Sequence, residues 1–426
     1  MKILMLTWEY PPRVVGGISK VVHDLSHRLV KDGNQVYVVT YKDGNAPYFE
    51  DDNGVKVYRV DNYMIHPINF IDWIMQLNFN MITKSSEIIE QEGKFDIVHA
   101  HDWLVSYAAK SIKEAYKIPL VSTIHATEHG RNDGIHDESQ RYINDSEWQL
   151  TYESTEVIVN SNFMKTDLQR AFGLPYDKIT VIPNGVDLEM YKWIERDMNF
   201  RRNYAMDNEK IILYVGRLVY EKGIQFLIGA MPKILKNYHD AKLVVAGRGG
   251  MLDELMQETR NLGIEQKVFF IGYCEPSKVK QLYKCADIAV FPSTYEPFGI
   301  VSIESMLAGT PTVVSDVGGL NDIVEHGVNG MKSYVGNSNS IADSVLALLF
   351  DKKLCNSVST NAIKKVKEVY NWRIIADMTA KIYEKAINKS VTQKDKEKEV
   401  QAKSQKAKKL DQGDTLVAFK KNNNYA

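Results

Sequence analysis

The chain has few cysteines, no excess of either charge and no long apolar run, and each absence removes a class of protein. Its three cysteines, Cys274, Cys285 and Cys355, include no C-x-x-C pair, so we expect neither a disulfide framework nor a cysteine zinc site. The 53 Lys and Arg residues nearly balance the 54 Asp and Glu residues, which argues against a nucleic-acid partner, because such binders need clustered positive charge. No apolar run approaches the roughly 20 residues that cross a bilayer, and residues 1–7 lack a signal-peptide profile. We therefore expect a cytoplasmic protein without integral membrane association.

Three motifs of common nucleotide enzymes are also missing. There is no G-x-G-x-x-G fingerprint and no Walker A sequence, so hydride transfer and P-loop ATP hydrolysis lose support. There is no D-x-D tripeptide, the metal–nucleotide motif of one large class of sugar transferases. If the chain binds a nucleotide, we expect it to do so without a metal ion or another cofactor.

What is present is an alternation of short apolar strands and helices. At 426 residues the chain is long enough for two or three domains. Strand-like and helix-like segments alternate over residues 2–160 and again over 211–314, without hairpin signals. This order predicts two α/β domains, each with a parallel sheet covered by helices.

A polar stretch between the two series of elements suggests the domain boundary. We place a first α/β domain at residues 1–186 and a second at 187–371. An amphipathic helix is predicted at 372–388. Residues 389–426 are rich in Lys, Gln, Glu and Asn, and we expect a disordered, solvated tail there.

The loop that begins at Glu296 is the strongest candidate for a ligand site, because ligands collect beyond the carboxyl ends of parallel strands. Phe298, Gly299 and Ile300 follow Glu296 and lead into a helix, whose free N–H groups suit a diphosphate. Glu296 could accept hydrogen bonds from sugar hydroxyls. Glu304, early in the helix, could hold both hydroxyls of a ribose.

Two further loops carry residues suited to phosphate. Arg217 and Lys222 follow the predicted strand 211–215 and could neutralise a departing diphosphate, a task that Mg²⁺ performs in many other enzymes. Gly16 and Gly17 precede the first helix and allow a phosphate or sugar to approach the backbone. The plain alternatives are two surface cations and an ordinary tight turn.

Histidines follow two strands of the first domain. His99, His101 and Asp102 lie at one strand end and His125 at the next. Their spacing is poor evidence for zinc, so we expect no metal and interpret them as a polar floor for a sugar, with one imidazole reaching a reacting hydroxyl. Trp103 could stack on a sugar ring or belong to the core.

These motifs together resemble the retaining glycosyltransferases of family 4, which have the GT-B architecture of two facing Rossmann-like domains. The resemblance runs from Met1 to about Asn388 and includes a C-terminal helix that crosses back onto the first domain. It rests on the loops already described and on the segment Ile182–Asp187. Within the class, the segments Trp8–Pro12, His101–Trp103 and Thr123–His125 resemble glycogen and starch synthases.

The resemblance implies a donor, an acceptor and a role for each motif residue. The implied reaction moves a hexose, with glucose favoured, from ADP- or UDP-glucose to an α-glucan or other glycan acceptor, with retention and without a metal. The first domain would bind the acceptor and the second the donor. The implied contacts are Glu296 to the donor sugar, Glu304 to the ribose, Arg217, Lys222 and Gly17 to the diphosphate, His125 and Asp102 to the sugar, and Gly318 and Gly319 behind the donor. Val14 stands where the ADP-glucose synthases of family 5 carry a lysine, which counts against that family and against ADP.

Other functions stay open at this point. A family 4 enzyme could act on a lipid, cell-wall or surface-polysaccharide precursor, and the apolar segment Met64–Met81 could contact a bilayer. That segment has no Lys or Arg, so an acceptor groove or a core helix is favoured. A non-catalytic protein that binds a sugar nucleotide is the other alternative. The intact set of Glu296, Glu304, Arg217 and Lys222 argues against it.

Overall fold

The structure is a computed structural model, and it describes residues 1–62, 67 and 69–392. The predicted tail from residue 393 onward lies outside the described residues, as do four positions of the apolar segment Met64–Met81. Within the described residues the chain forms two open sheets, of eight and six strands, flanked by helices. The prediction of an α/β fold with two domains is confirmed.

The first sheet is parallel apart from one strand at its edge. Its strands are β1 (Lys2–Leu6), β2 (Gln35–Tyr41), β3 (Phe49–Asp52), β4 (Val55–Val60), β5 (Ile97–His101), β6 (Leu120–Ile124), β7 (Glu156–Val159) and β8 (Ile179–Val181). They are ordered β3-β4-β2-β1-β5-β6-β7-β8, and only β3 runs antiparallel to its neighbour. The strands β5, β6 and β7 are buried along their whole length, which explains why the sequence reads there as continuous runs rather than as alternating patterns.

Helices cover both faces of this sheet. They are α1 (Gly17–Lys31), α2 (Phe70–Glu92), α3 (Ser106–Tyr116), α4 (Glu128–Asn132), α5 (Glu138–Glu153) and α6 (Asn162–Phe172). In α1, the buried residues Val21, Val22, Leu25 and Leu29 recur with helical spacing and form one face toward the sheet. Gly33, in the left-handed region at φ +87°, follows the end of this helix.

The helix α2 shows what the apolar segment does where it is described. Ile74, Leu77 and Met81 are fully buried in the core of the first domain, while Phe79 on another face is 62% exposed. This part of the segment is therefore a core helix with an exposed aromatic residue. No helix in the described part of the chain is both long and apolar enough to cross a membrane.

The second sheet is wholly parallel. Its strands are β9 (Lys210–Val215), β10 (Ala241–Ala246), β11 (Val268–Gly272), β12 (Ile288–Phe291), β13 (Thr312–Ser315) and β14 (Met331–Ser333), in the order β11-β10-β9-β12-β13-β14. Its helices are α7 (Met198–Arg201), α8 (Ile224–Asn237), α9 (Leu252–Asn261), α10 (Pro276–Cys285), α11 (Ile300–Ala308), α12 (Leu320–Ile323), α13 (Ser338–Phe350) and α14 (Lys352–Val369). Two apolar clusters, one on each face, form the core of this domain.

The chain passes between the two domains twice, at adjacent points. The N–H of Val186 donates to the carbonyl oxygen of Tyr370 at 2.8 Å, and Val186 pairs with Asn371 in a single parallel bridge. After the second passage, residues 372–392 form a helix, α15. Trp372, Ile375 and Tyr383 of this helix are buried in one cluster with residues of β1 and β2. The prediction of a helix that crosses back to the first domain is confirmed.

Two polar contacts fix the position of α15 on the sheet. The Tyr383 hydroxyl shares a hydrogen bond of 2.7 Å with Nδ1 of His99, and both side chains are fully buried. Lys385 and Lys389 each place Nζ 2.7 Å from a carboxylate oxygen of Glu156, which is also fully buried. The helix therefore continues past Asn388, where the sequence predicted its end, because Lys389 still has an ionic partner on β7.

The buried bond between Tyr383 and His99 gives a stability prediction. Tyr383→Phe should lower the free energy of unfolding by about 1–3 kcal/mol, because it leaves a buried imidazole nitrogen without a partner. Urea denaturation followed by circular dichroism measures this. Tyr334→Phe is the matched control, because Tyr334 is 73% exposed. Equal stabilities for the two variants would contradict the contribution assigned to this bond.

Candidate active site

The residues singled out from the sequence lie along one edge of each sheet. In the first sheet they follow β1, β5 and β6, and in the second sheet they follow β9, β12 and β13. Each set of three strands is adjacent in its sheet, so parallel pairing brings the loops together at the carboxyl ends. The two edges also touch each other. The Ser161 hydroxyl, after β7, donates to the Pro297 carbonyl oxygen, after β12, at 2.7 Å.

Lys222 and Glu296 meet in this cleft. Lys222 Nζ lies 2.7 Å from Glu296 Oε2, and the Ser293 hydroxyl is 3.3 Å from the same oxygen. The backbone holds the two loops in register, because the N–H of Thr294 donates to the Glu221 carbonyl oxygen at 2.8 Å. The side chain of Glu296 is 11% exposed and that of Lys222 is 21% exposed. Each charge is therefore neutralised by the other at a site that is partly shielded from solvent.

Arg217, the second predicted cation, lies in the same loop but has another partner. Its guanidinium pairs with Glu221 at 3.2 Å, and its side chain is 57% exposed. An exposed pair of this kind contributes less than about 1 kcal/mol, so little energy holds Arg217 in this position. The structure thus brings Lys222 to Glu296 and leaves Arg217 at the surface of the loop.

A pair of glycines packs against the backbone of the Glu296 loop. A Cβ atom on Gly318, which has φ +55°, would lie 2.1 Å from the Glu296 carbonyl oxygen. A Cβ on Gly319 would lie 2.3 Å from the Pro297 carbonyl oxygen, and the Gly319 N–H donates to the Glu296 carbonyl oxygen at 2.8 Å. Only glycine permits this approach, so the pair sets the position of the residues before α11 from behind.

The residues that lead into α11 divide between the core and the cleft. Phe298 is 3% exposed and packs edge-on against Tyr370, with ring centroids 5.9 Å apart. Its side chain belongs to the core, so a ligand could meet only its backbone. Gly299 precedes α11 at φ +107°, and Ile300 begins the helix and reaches toward the first domain. The N-terminus of α11 therefore opens at the cleft, as the sequence predicted.

Glu304 forms an ion pair with Lys20 of the first domain. The sequence did not single out Lys20. Burial opposes the charge on Lys20, but the Glu304 carboxylate nevertheless raises the pKa of the ammonium group. A lysine in the first turn of a helix interacts unfavourably with the helix dipole. That unfavourable position was the one feature of the sequence that could have indicated an acidic partner for Lys20.

The glycine loop after β1 is organised by Glu9, another residue that the sequence did not single out. The Glu9 carboxylate accepts hydrogen bonds from the N–H groups of Val15 at 2.6 Å and Gly16 at 2.9 Å. Burial raises the pKa of Glu9 although these bonds oppose the shift. A Cβ atom on Gly17 would lie 3.0 Å from Ile300 Cδ1, so the missing side chain allows the domains to approach. The N–H groups of Val15 and Gly16 are thus engaged within the loop, and the phosphate contact of Gly17 stays a prediction.

The histidines form a connected and uncharged group. His101 Nδ1 lies 3.1 Å from His125 Nε2, and the Asn160 amide donates to His125 Nδ1 at 3.1 Å. Since His125 Nδ1 accepts, the proton of a neutral ring is on Nε2 and points to His101. Desolvation lowers the pKa of both His99 and His125 to about 3. Both ring nitrogens of His125 are thus engaged within the protein.

Asp102 holds the backbone at His125 in this group. It adopts φ +60°, is 7% exposed, and accepts the His125 backbone N–H on Oδ1 at 2.7 Å. Burial raises the pKa of Asp102 to about 7. Its visible contact is therefore to the backbone beside His125. The sequence left open whether Trp103 stacks on a sugar or belongs to the core. In the structure Trp103 is 7% exposed and packs against Tyr142 in the core.

Two family models match the chain, one on each domain. The model described as Glycosyltransferase Family 4 matches residues 15–190, and the model described as Glycosyl transferases group 1 matches residues 195–365. Together they span the candidate residues between Gly16 and Gly319 and every strand of both sheets except β1.

Two curated relatives match over nearly their whole length. The Uncharacterized glycosyltransferase MJ1607 of Methanocaldococcus jannaschii is 44% identical over 393 residues, which cover 91% of this chain and 99% of that protein. The Glycogen synthase of Mycobacterium tuberculosis is 32% identical over 397 residues, which cover 90% of this chain and 94% of that protein.

Solved structures share the fold at lower identity. Sucrose-phosphate synthase from Thermosynechococcus elongatus superposes with a TM-score of 0.78 at 23% identity, covering 90% of this chain and 98% of that one. Anabaena Alr3699/HepE in complex with UDP-glucose superposes with a TM-score of 0.74 at 23% identity, covering 90% and 100%. The chain belongs to the GT-B glycosyltransferases that combine a Family 4 domain with a group 1 domain.

Proposed function

We propose that this glycosyltransferase moves glucose from UDP- or ADP-glucose to an α-glucan, with retention at the anomeric carbon and without a catalytic metal. One observation carries the proposal, namely the pairing of Lys222 with Glu296 at 2.7 Å where α11 opens into the cleft. The relative named Glycogen synthase supports the acceptor, and the UDP-glucose held by HepE supports the donor. The proposed location is cytoplasmic, as the sequence predicted.

The donor would enter by exchanging partners with these ion pairs. The diphosphate would take Lys222 from Glu296 and attract Arg217 from its weak surface pair, while the N–H groups at the start of α11 face the same anion. Glu296 would then be released to accept hydrogen bonds from the sugar. In the same way, the ribose hydroxyls would compete with Lys20 for Glu304. The diphosphate supplies the negative charge that Lys222 loses, whereas the sugar and ribose hydroxyls satisfy Glu296 and Glu304 by hydrogen bonds.

The chemistry would rest on charge stabilisation. The bond between the anomeric carbon and the diphosphate oxygen breaks, and an acceptor hydroxyl oxygen forms the new bond on the same face. The hydroxyl proton passes to the departing phosphate. Lys222 and Arg217 would stabilise the charge that develops on that phosphate, and the two domain edges would position the reactants. Both ring nitrogens of His125 are engaged within the protein, so we assign the ring no proton transfer.

A second candidate acceptor is a lipid or surface-polysaccharide precursor that carries a phosphate. A cavity of about 410 Å³ is lined by Arg13, Pro67, Asn69, Phe70 and Trp73. The Arg13 guanidinium lies 6.0 Å from the centre of the Trp73 ring, so a cation and aromatic faces occur side by side. Aromatic faces suit a sugar ring in either case. The guanidinium, which also pairs with Asp43 at 3.4 Å, favours an anionic acceptor that would compete for it.

The pairing of Lys222 with Glu296 gives the first prediction on activity. Lys222→Gln and Glu296→Gln should each lower kcat by at least ~100-fold, because each removes one preorganised charge that acts on the donor. Initial rates of nucleotide release measure this. Lys233→Gln is the matched control, because Lys233 forms an ion pair of 2.6 Å with Asp343 at the surface of the same domain. A loss below tenfold in either site variant would overturn the assignment of that residue.

The choice of donor and acceptor gives the second prediction on activity. Nucleotide release should be measured from UDP-glucose, ADP-glucose, GDP-mannose and UDP-N-acetylglucosamine, with and without glycogen, in excess EDTA. We expect release from one glucose donor that depends on glycogen and is unchanged by EDTA. Release only from GDP-mannose or UDP-N-acetylglucosamine would reject glucan synthesis and favour the second acceptor. Loss of all release in EDTA, restored by Mg²⁺, would reject the metal-independent mechanism.

A further inference from the structure

A separate group of ligating side chains lies where α1 packs beside β3. His23 and His27 are one turn apart on α1, with ring centroids 4.1 Å apart. Asp52 is the last residue of β3 and faces both rings. A ring nitrogen of each histidine and a carboxylate oxygen of Asp52 all lie within 4.8 Å of one another. None of these three residues belongs to the donor or acceptor contacts proposed above.

The Nδ1 nitrogens of both rings already have hydrogen-bond partners. His23 Nδ1 lies 2.8 Å from Asp24 Oδ1, and His27 Nδ1 lies 2.7 Å from the backbone carbonyl oxygen of His23. Carboxylate and carbonyl oxygens only accept, so each Nδ1 carries the proton. In a neutral ring this leaves a lone pair on Nε2. Histidines that bind metals are usually oriented by this kind of bond from the other nitrogen.

The free lone pairs converge on the Asp52 carboxylate. His27 Nε2 is 3.3 Å from Asp52 Oδ1, and His23 Nε2 is 3.7 Å from Asp52 Oδ2. His27 Nε2 is buried and makes no hydrogen bond to any described residue. The Tyr10 hydroxyl donates to Asp52 Oδ2 at 3.0 Å and so fixes the carboxylate. When both rings are neutral, these three acceptors face each other and repel, and a cation between them, a metal ion or a proton, removes the repulsion.

We propose that His23, His27 and Asp52 bind a zinc ion. Two ligands that lie about 2.1 Å from a tetrahedral Zn²⁺ are about 3.4 Å apart, close to the separations between the imidazole nitrogens and the carboxylate. Two imidazoles beside a single carboxylate favour Zn²⁺ over Mg²⁺ and Ca²⁺, which prefer shells of oxygen. The fourth position is left for water. The side chain of His23 is 34% exposed, which gives the ion a path from solvent.

The proposed ion has a structural role. It joins α1 to the edge strand β3, which otherwise pairs only with β4 among the described strands. Through Tyr10 it also reaches the segment that holds Glu9, the residue that organises the glycine loop. Zinc should therefore stabilise the first domain, while turnover at saturating donor stays unchanged.

The test uses the untagged full chain, stripped of metal with EDTA and then freed of the chelator. Titration calorimetry with ZnCl₂ should give one site per chain, and the Tm should rise with zinc. His27→Gln and Asp52→Asn should each weaken zinc binding by at least ~100-fold, since loss of even an outer partner of a ligand costs roughly 10–100-fold. Co²⁺ in place of zinc should show the visible absorption of a tetrahedral site, and that band should vanish in both variants.

His239→Gln is the matched control. His239 Nδ1 lies 3.3 Å from Asp240 Oδ1, but the described residues around it supply no second imidazole. This variant should bind zinc as the parent chain does. Binding of equal strength in His27→Gln would overturn the proposal, as would no stoichiometric binding in the parent. A Tm that rises on acidification but not with zinc would show that a proton, rather than a metal ion, neutralises the group.

Discussion

Parallel strand pairing is the constraint on which the rest of this molecule depends. Because parallel strands all end at the same edge, the loops after β1, β5 and β6 are neighbours in space, and so are those after β9, β12 and β13. The double passage of the chain at Val186 and Asn371 then joins the two domains. Contacts such as the one from Ser161 to Pro297 bring the two edges together. The cleft follows from topology first and from individual side chains second.

Charge matching is the second principle of the site. Lys222 with Glu296 and Lys20 with Glu304 are pairs drawn from distant parts of the chain, and each is partly shielded from water. Such pairs are costly to leave half-satisfied, so a ligand that separates one must offer each charged group a new polar partner. The histidines show the opposite solution, because burial keeps them neutral and hydrogen bonds orient them. The proposed donor site is thus charged, whereas the histidine group of the first domain is polar but uncharged.

The sequence predicted well whatever depends on local pattern. The two sheets follow from the order of strands and helices along the chain, whereas the crossing of the C-terminal helix was implied by the family resemblance. Lys222 and Glu296 were each singled out at strand ends, but the ion pair between them was not predicted. The sequence missed contacts that depend on long-range geometry, since 284 residues separate Lys20 from Glu304. The H-x-x-x-H spacing of His23 and His27 was visible on α1, but its third member, Asp52, is on a strand that local pattern did not predict. Phe298 was placed with the ligand residues because sequence proximity does not reveal which side of a loop faces the core.

The crossing helix also has a consequence for biogenesis. Trp372, Ile375 and Tyr383 cover apolar surface on the first domain, yet they are synthesised after the whole second domain. Once residues 1–186 have left the ribosome, every strand of the first sheet has been made. The helix α15, which packs on one face of that sheet, has not yet been made. The part of that face that α1 does not cover stays exposed until residues near 390 emerge, so the first domain completes its core last although its strands are made first.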